Sequence, residues 1–203
     1  MSFYERRILP WLIDRGMRNR VMTKYRPQIP PLAEGRVLEV GVGAGLNFPY
    51  YTRRVKHLFG LEPADALRRS AAQVADSLAF PVTLIASGAE SIPLEAGSID
   101  TVVSTWTLCS IQKVELALRE MRRVLKPGGR LIFMEHGKTP DADVNRLQDR
   151  LAPVLRLVAG CNPNRLIDRL ITEAGFRLAR LEKTYLDGPR FIAYHYVGEA
   201  IPA

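Results

Sequence analysis

The chain is poor in the residues that build extracellular scaffolds and metal clusters. Its 203 residues include two cysteines, Cys109 and Cys161, with no C-x-x-C pair. That argues against a disulfide framework and makes a reducing cytoplasm the expected setting. Three isolated histidines, His57, His136 and His195, show no metal-ligand spacing, so no metal is expected. No apolar run approaches the roughly 20 residues of a membrane span. The opening Met1-Ser-Phe-Tyr-Glu-Arg-Arg lacks the basic-then-apolar order of a secretory signal. The absence of any Gly-Lys-Ser/Thr tripeptide excludes a phosphate-cradling P-loop. There is no internal repeat and no low-complexity segment.

What is present fits one globular domain over 1–203, with an ordinary 47% hydrophobic content. The net charge of +8 is uneven: residues 1–36 hold eight Lys/Arg against three acids, and the rest hold 21 against 18. Within residues 1–30, Ile8, Leu9, Trp11, Leu12, Ile13 and Met17 form a helical apolar stripe among arginines, with Pro10 starting or kinking the regular part. Such a helix can pack on the core as a lid or rest on an anionic membrane surface, and the two roles are compatible. A cytoplasmic protein with peripheral membrane contact through this helix is the expectation.

Pro27, Pro30 and Pro31 then form a stiff linker into an alternating pattern. Strands are expected at 36–40, 57–61, 82–86, 99–104, 130–135, 176–184 and 190–197, with helices at 45–54, 64–78, 112–125, 142–159 and 163–174. This alternation implies an α/β fold: a doubly wound, mostly parallel seven-stranded sheet with helices on both faces. Asp187-Gly188-Pro189 turns the last two strands into an antiparallel hairpin spanning 176–203.

The most informative stretch is Val37-Leu-Glu-Val-Gly-Val-Gly-Ala-Gly-Leu-Asn47. A short buried strand runs into Gly41, Gly43 and Gly45, where a ligand can touch backbone, and a helix is expected to open near Leu46. Glu62 follows about 20 residues later, after a second apolar run, placed to take both ribose hydroxyls of an adenosine. The spacing is G-x-G-x-G, not the G-x-G-x-x-G of dinucleotide binders. Glu39 beside the glycines would repel a pyrophosphate but attract an ammonium. S-adenosylmethionine (SAM), with an ammonium, a sulfonium and no phosphate, suits that charge pattern.

On these residues the chain resembles a class I SAM-dependent methyltransferase, a Rossmann-like fold. Glu39-Val-Gly-Val-Gly-Ala-Gly45 resembles the family's first motif and Leu61-Glu-Pro63 its ribose-binding corner. Ser87 to Asp100 resembles the segment passing the adenine, and Leu125-Lys-Pro-Gly-Gly-Arg-Leu131 the turn into the fifth strand. The resemblance implies a SAM-binding core at 36–137 and cofactor contacts from Glu39, Gly41, Gly43, Gly45, Asn47, Glu62, Pro63, Gly88, Ala89, Glu90, Thr105 and Leu108. Many relatives carry Asp where this chain has Gly88, which shifts the adenine contact to backbone groups or Glu90.

In open α/β sheets the ligand lies beyond the carboxyl ends of the strands, so Thr105 to Ser110 and Glu135-His-Gly137 are expected to face the acceptor. His136 is the candidate proton acceptor and Glu135 its orienting partner. Each has an alternative reading, a structural rim histidine and a helix cap. Trp106 and Leu108 can wall an apolar pocket or simply pack the core. Ser104-Thr-Trp-Thr107 replaces the Asn/Asp-Pro-Pro-aromatic tetrad of amino-group methyltransferases, and no Pro-Cys pair occurs, so no nucleic-acid partner is expected. Leu108-Cys-Ser-Ile111, Phe133-Met-Glu-His-Gly137 and Gly160-Cys-Asn-Pro163 are similar to the microsomal alkyl-thiol methyltransferases. A broader similarity runs to ubiquinone/menaquinone C-methyltransferases and phospholipid N-methyltransferases. The resemblance implies a small lipophilic acceptor, a thiol, with a lipid or quinone head group as the alternative. Residues 138–175 are expected to cover it, with Leu147, Leu151, Val154, Leu155 and Val158 at helical spacing and Pro153 as a break.

Overall fold

The computed structural model describes residues 9–203. Ile8, part of the expected N-terminal stripe, lies outside the described residues. The chain there begins with helices α1 (Leu9–Met17) and α2 (Arg20–Tyr25). Single 3-10 turns at Arg26–Gln28 and Pro30–Leu32 follow, where Pro27, Pro30 and Pro31 hold the backbone.

The sheet has seven strands: β1 (Gly35–Val40), β2 (Val55–Leu61), β3 (Val82–Ile85), β4 (Ile99–Thr105), β5 (Leu125–His136), β6 (Phe176–Tyr185) and β7 (Tyr194–Pro202). Their order is β3-β2-β1-β4-β5-β7-β6. The first five are parallel; β7 runs antiparallel to both β5 and β6. The expected terminal hairpin is therefore present. Its last strand starts later than expected, because Pro189 opens a short helix, Arg190–Ala193, before β7.

Each central strand alternates its side chains between two cores. Leu38, Val102, Leu131 and Phe133 face one layer with α4 (Val114–Val124) and α6 (Ile167–Glu173); Val37, Val103, Ile132 and Met134 face the other with α3 (Asp65–Ala75) and Phe48. Helix α4 buries Val114, Ala117, Leu118, Met121 and Val124, one stripe at helical spacing. The sheet order reverses between β1 and β4, which makes a crevice beyond the carboxyl ends of those strands.

Two expectations fail. No α-helix spans 45–54: there is only a 3-10 turn, Phe48–Tyr50, with Pro49 inside it and Tyr51 extended (φ −67°, ψ 143°) on the way to β2. Pro49 fits a first turn but cannot propagate a helix, and few residues remain before Val55. The glycine loop therefore does not run straight into a helix of its own. Nor does Pro153 break the cover, because helix α5 runs through it from Ala142 to Ala159. The expected apolar stripe is not what seats α5 either. Its buried residues are Gln148 and Ala152, while Leu147 and Val154 are exposed. The Gln148 side chain donates to the carbonyls of Gly137, Pro163 and Phe191 at 3.0–3.1 Å and accepts from the Thr139 N–H at 3.1 Å.

Candidate functional site

The crevice at the β1/β4 switch is a cavity of about 1070 Å³, walled by the glycine loop, the ends of β2 and β4, α1 and the far end of α5. On the cofactor side the loop after β1 is held by the Gly41 and Val42 N–H groups, which donate to the Leu61 carbonyl at 2.9 and 3.1 Å. Gly41 has φ 72°, and a side chain there would strike Thr107 at 2.5 Å, so only glycine lets the β1 and β4 loops meet. Gly43, at φ 55°, would meet nothing within 4 Å, and it opens onto the cavity. Gly45 does not line the cavity. It lets the loop pack against Phe48 and the Ala71 backbone, which would otherwise be 2.9 and 3.1 Å from a Cβ.

Glu62 is buried at the cavity wall. Its carboxylate accepts from the Gly43 N–H at 3.1 Å and the Ala64 N–H at 2.8 Å. Burial raises its pKa against the pull of those two bonds and of Arg68. A carboxylate offers about four lone-pair directions, so two remain for a pair of hydroxyls. Pro63, Gly88, Ala89 and Glu90 line the same end. The Glu90 carboxylate also accepts, at 3.4 Å, from the Lys113 N–H.

Glu39 does not stand free beside the glycines. Asn47 donates to it at 2.6 Å and the Tyr51 hydroxyl at 2.9 Å. The Asn47 amide also donates to Thr105 Oγ1 at 2.9 Å, and its oxygen accepts from Arg26 at 2.8 Å. Burial pushes Glu39 up to about 7, although Asn47, Tyr51 and the charge on Arg26 oppose the shift. Arg26 is itself buried, donates to the Met17 carbonyl at 3.1 Å and lies over the Trp106 ring at 5.2 Å. The sequence offered no signal for Arg26, one of eight basic residues in its segment. The hydrogen-bonded Asn47 is the only local hint.

The acceptor side differs from expectation. Trp106, Thr107, Ser110, Ile111, Pro153, Arg156 and Leu157 line the cavity, together with Ile13, Asp14 and Met17 of α1. Leu108, Glu135 and His136 do not. Leu108 packs fully into the core, leaving only its backbone in the network. Glu135 is wholly buried under the turn after β4. It accepts from Ser104 Oγ at 2.7 Å, from the Thr107 N–H at 2.9 Å and from the Leu108 N–H at 3.1 Å. Burial pushes it up to about 8 against the pull of those three bonds. Rather than orienting His136, Glu135 shapes the backbone that follows β4. There Trp106 holds φ 52°, a left-handed value that is strained for a large side chain. Its indole N–H donates to His195 Nε2 at 2.8 Å, and the other ring nitrogen of His195 meets the Ala193 carbonyl at 2.8 Å. His136 turns away from the cavity toward Cys161 and Cys109.

The donor set fits a cationic nucleoside. Carboxylates at both ends of the loop oppose a polyphosphate, and Gly43 leaves room for close approach. A model of the methyltransferase domain matches residues 38–133. The human thiol S-methyltransferase TMT1A is 31% identical over 84% of this chain and 72% of its own length. The phosphatidylethanolamine N-methyltransferase of Cereibacter sphaeroides is 31% identical over 74% of this chain and 73% of its own. Across the four thiol S-methyltransferases matched, the chain spans 43% to 72% of their length. The structure of a SAM-dependent methyltransferase from Thermotoga maritima superposes with a TM-score of 0.71 over 99% of this chain and 100% of that one; at 19% identity this likeness speaks for the fold. The reversed sheet order, the glycine loop with the buried Glu62 carboxylate beside it and these relatives agree: the chain belongs to the class I SAM-dependent methyltransferases.

Proposed function

We propose that this methyltransferase transfers the methyl group to the sulfur of a small, lipophilic thiol. The observation that carries the reading is the acceptor wall. Ile13, Met17, Trp106, Ile111, Pro153 and Leu157 supply its apolar part, beside Asp14, Thr107, Ser110 and Arg156, and among the described residues no histidine, cysteine or lysine lines it. At about 1070 Å³ the cavity is at the top of the ~300–1,000 Å³ range of one-ligand sites, leaving space beside the cofactor. A thiol with a pKa near 8.5 is already a few per cent thiolate at neutral pH and needs no strong base.

SAM supplies an electrophilic methyl on a sulfonium. The chain's residues bind, align and exclude water, which is where most of the acceleration of an in-line displacement arises. Glu62 takes the ribose hydroxyls, with the Gly43 N–H beside it. Ser87 to Glu90 border the adenine. Glu39 and Asn47 receive the ammonium end, and the guanidinium donors that Arg26 does not spend on Asn47 and Met17 face the carboxylate. Leu157 and Trp106 hold the acceptor chain. With SAM bound, these residues would hold the acceptor sulfur in line with the methyl that SAM supplies, and the thiol proton would leave to water. Glu135 is a positioning residue, acting through the 105–108 backbone.

A second reading, a phospholipid or quinone head group as acceptor, is favoured by one surface. Trp11, 60% exposed, and Leu157, 79% exposed, stand with Leu12, Leu147 and Val154 on α1 and α5, among Arg15, Arg18, Arg146 and Arg150. Apolar side chains ringed by arginines suit the surface of an anionic bilayer. Among the described residues no helix is long and apolar enough to cross one. Incubation with methyl-labelled SAM and a panel of alkyl thiols, quinols and phospholipid vesicles decides between the two. Label in a thioether supports the first reading. Label only in lipid or quinol, at any vesicle composition, overturns it.

A further inference from the structure

Cys109 lies in the turn after β4, His136 ends β5, and Cys161 follows Gly160, the left-handed cap (φ 68°) that stops α5. One ligand atom from each of the three lies within 4.8 Å of the others, and His136 Nε2 is 3.1 Å from Cys161 Sγ. The backbone that carries them is already fixed. Asn162 donates to the Cys109 carbonyl through both its backbone N–H, at 3.0 Å, and its side-chain amide, at 2.9 Å. Arg165 donates to the neighbouring Leu108 carbonyl. Cys109 and His136 are buried and Cys161 is partly exposed, so the cluster is reachable from one side. The second imidazole nitrogen, His136 Nδ1, is buried with no hydrogen-bond partner among the described residues. It lies across the ring from Nε2, the nitrogen that faces Cys161, so Nε2 is the donor atom offered to the cluster.

We propose that Cys109, His136 and Cys161 bind one zinc-class divalent cation. Two thiolates and an imidazole form a borderline-soft donor set, which selects zinc over magnesium or calcium. Zinc–sulfur and zinc–nitrogen bonds near 2.3 and 2.0 Å hold tetrahedral ligand atoms about 3.4–3.8 Å apart. The 3.1 Å between His136 Nε2 and Cys161 Sγ and the 4.8 Å limit on the whole set bracket that range. Binding releases two thiol protons to solvent and leaves the imidazole neutral, so the filled site carries no net charge. The charged groups facing it, Glu135 and Arg165, are of opposite sign. The His195 ring, 6.2 Å from that of His136, adds an aromatic neighbour. Three protein donors leave the fourth position to water. The ion would clip the end of α5 to the turn after β4, beside the cavity-lining Ser110 and Gly160. Nothing in this depends on which acceptor is methylated.

The test uses the full chain, isolated under reductant, stripped of metal and titrated with cobalt(II) in place of zinc. One cobalt per chain is expected, with a thiolate-to-cobalt charge-transfer band, release of two protons per ion and displacement by zinc. Cys161→Ser and His136→Gln, each confirmed to be folded by circular dichroism, should weaken zinc by at least about tenfold. Because either variant could unfold, alkylation of the unaltered protein gives a second readout: zinc should protect Cys161. Absence of the thiolate band, unprotected alkylation, or zinc affinity that survives both substitutions overturns the site. So does a mass two hydrogens low, showing the sulfurs joined to each other despite the reductant.

Discussion

The crevice has two walls made in different ways. Along the cofactor wall, β1 and β2 end in a loop whose own N–H groups and one carboxylate, Glu62, face the cavity. Along the acceptor wall, the turn after β4 is held by groups that never reach the cavity: Glu135 beneath it, His195 behind Trp106, Asn162 and Arg165 at its far end. The first wall has backbone bonds of its own, from the Gly41 and Val42 N–H groups to the Leu61 carbonyl, so it depends less on any one side chain. The second depends on them more, because buried side chains carry its bonds and leave unsatisfied partners when removed.

Cutting the deepest of those side chains tests the contrast most severely. Glu135→Ala strands the Thr107 and Leu108 N–H groups and the Ser104 hydroxyl, and should cost about 3 kcal/mol or more of folding stability. Denaturant unfolding measures it, and a loss under about 1 kcal/mol would erase the distinction between the walls. Glu62→Ala should act chiefly on the cofactor. SAM affinity measured by calorimetry should fall by about 1.5–3 kcal/mol, the scale of charge-assisted hydrogen bonds. The Gly43 and Ala64 N–H groups it frees are part-buried at the cavity wall and should cost less stability than those stranded by Glu135→Ala.

The third test concerns pH. Glu39 titrates near 7 in the folded chain against an ordinary 4.5, because burial favours its neutral form. The stability this confers is complete below about 4.5 and is lost as pH rises through about 7. Glu135, raised to about 8, has the same sign and extends the decline. Glu39→Gln should flatten the stability–pH curve between those limits, and an unchanged slope would mean that Glu39 is ionised throughout. The smallest effect is expected from Trp106→Phe. It keeps an aromatic ring but leaves His195 Nε2 without its donor, at about 1 kcal/mol, or ~2–4 °C in Tm.

The same contrast explains what could be read from the residues alone. The glycines, Glu62 and the 87–90 segment each act within a few positions of chain, so spacing reveals them. Glu39 could be placed but not its partners, since Tyr51 and Asn47 reach it only when the expected helix at 45–54 is absent. Arg26 enters the site by folding back over Trp106, a contact that no local pattern encodes. His136 and the two cysteines have no ligand spacing in sequence, yet the carboxyl ends of β4 and β5 and the end of α5 bring them together. Glu135 and Leu108 were located on the correct elements and assigned the wrong side. The pleat that turns one residue toward the ligand turns its neighbour away, and twist at strand ends hides which is which. The strands, their order of use and the terminal hairpin follow from period and turn chemistry, which are local too.

Gln148 has a consequence for the roof of the cavity. Its four hydrogen bonds anchor the front half of α5, and the paired Asn162 bonds fasten the chain just past its other end, like a beam resting on two piers. Lifting the whole helix would tear out both supports at once. Between them stands Pro153, which cannot donate to the Asp149 carbonyl and so leaves the span thinnest over the chamber. With both ends pinned and one bond missing between them, the helix has its easiest bend at Pro153, directly against the cavity it roofs.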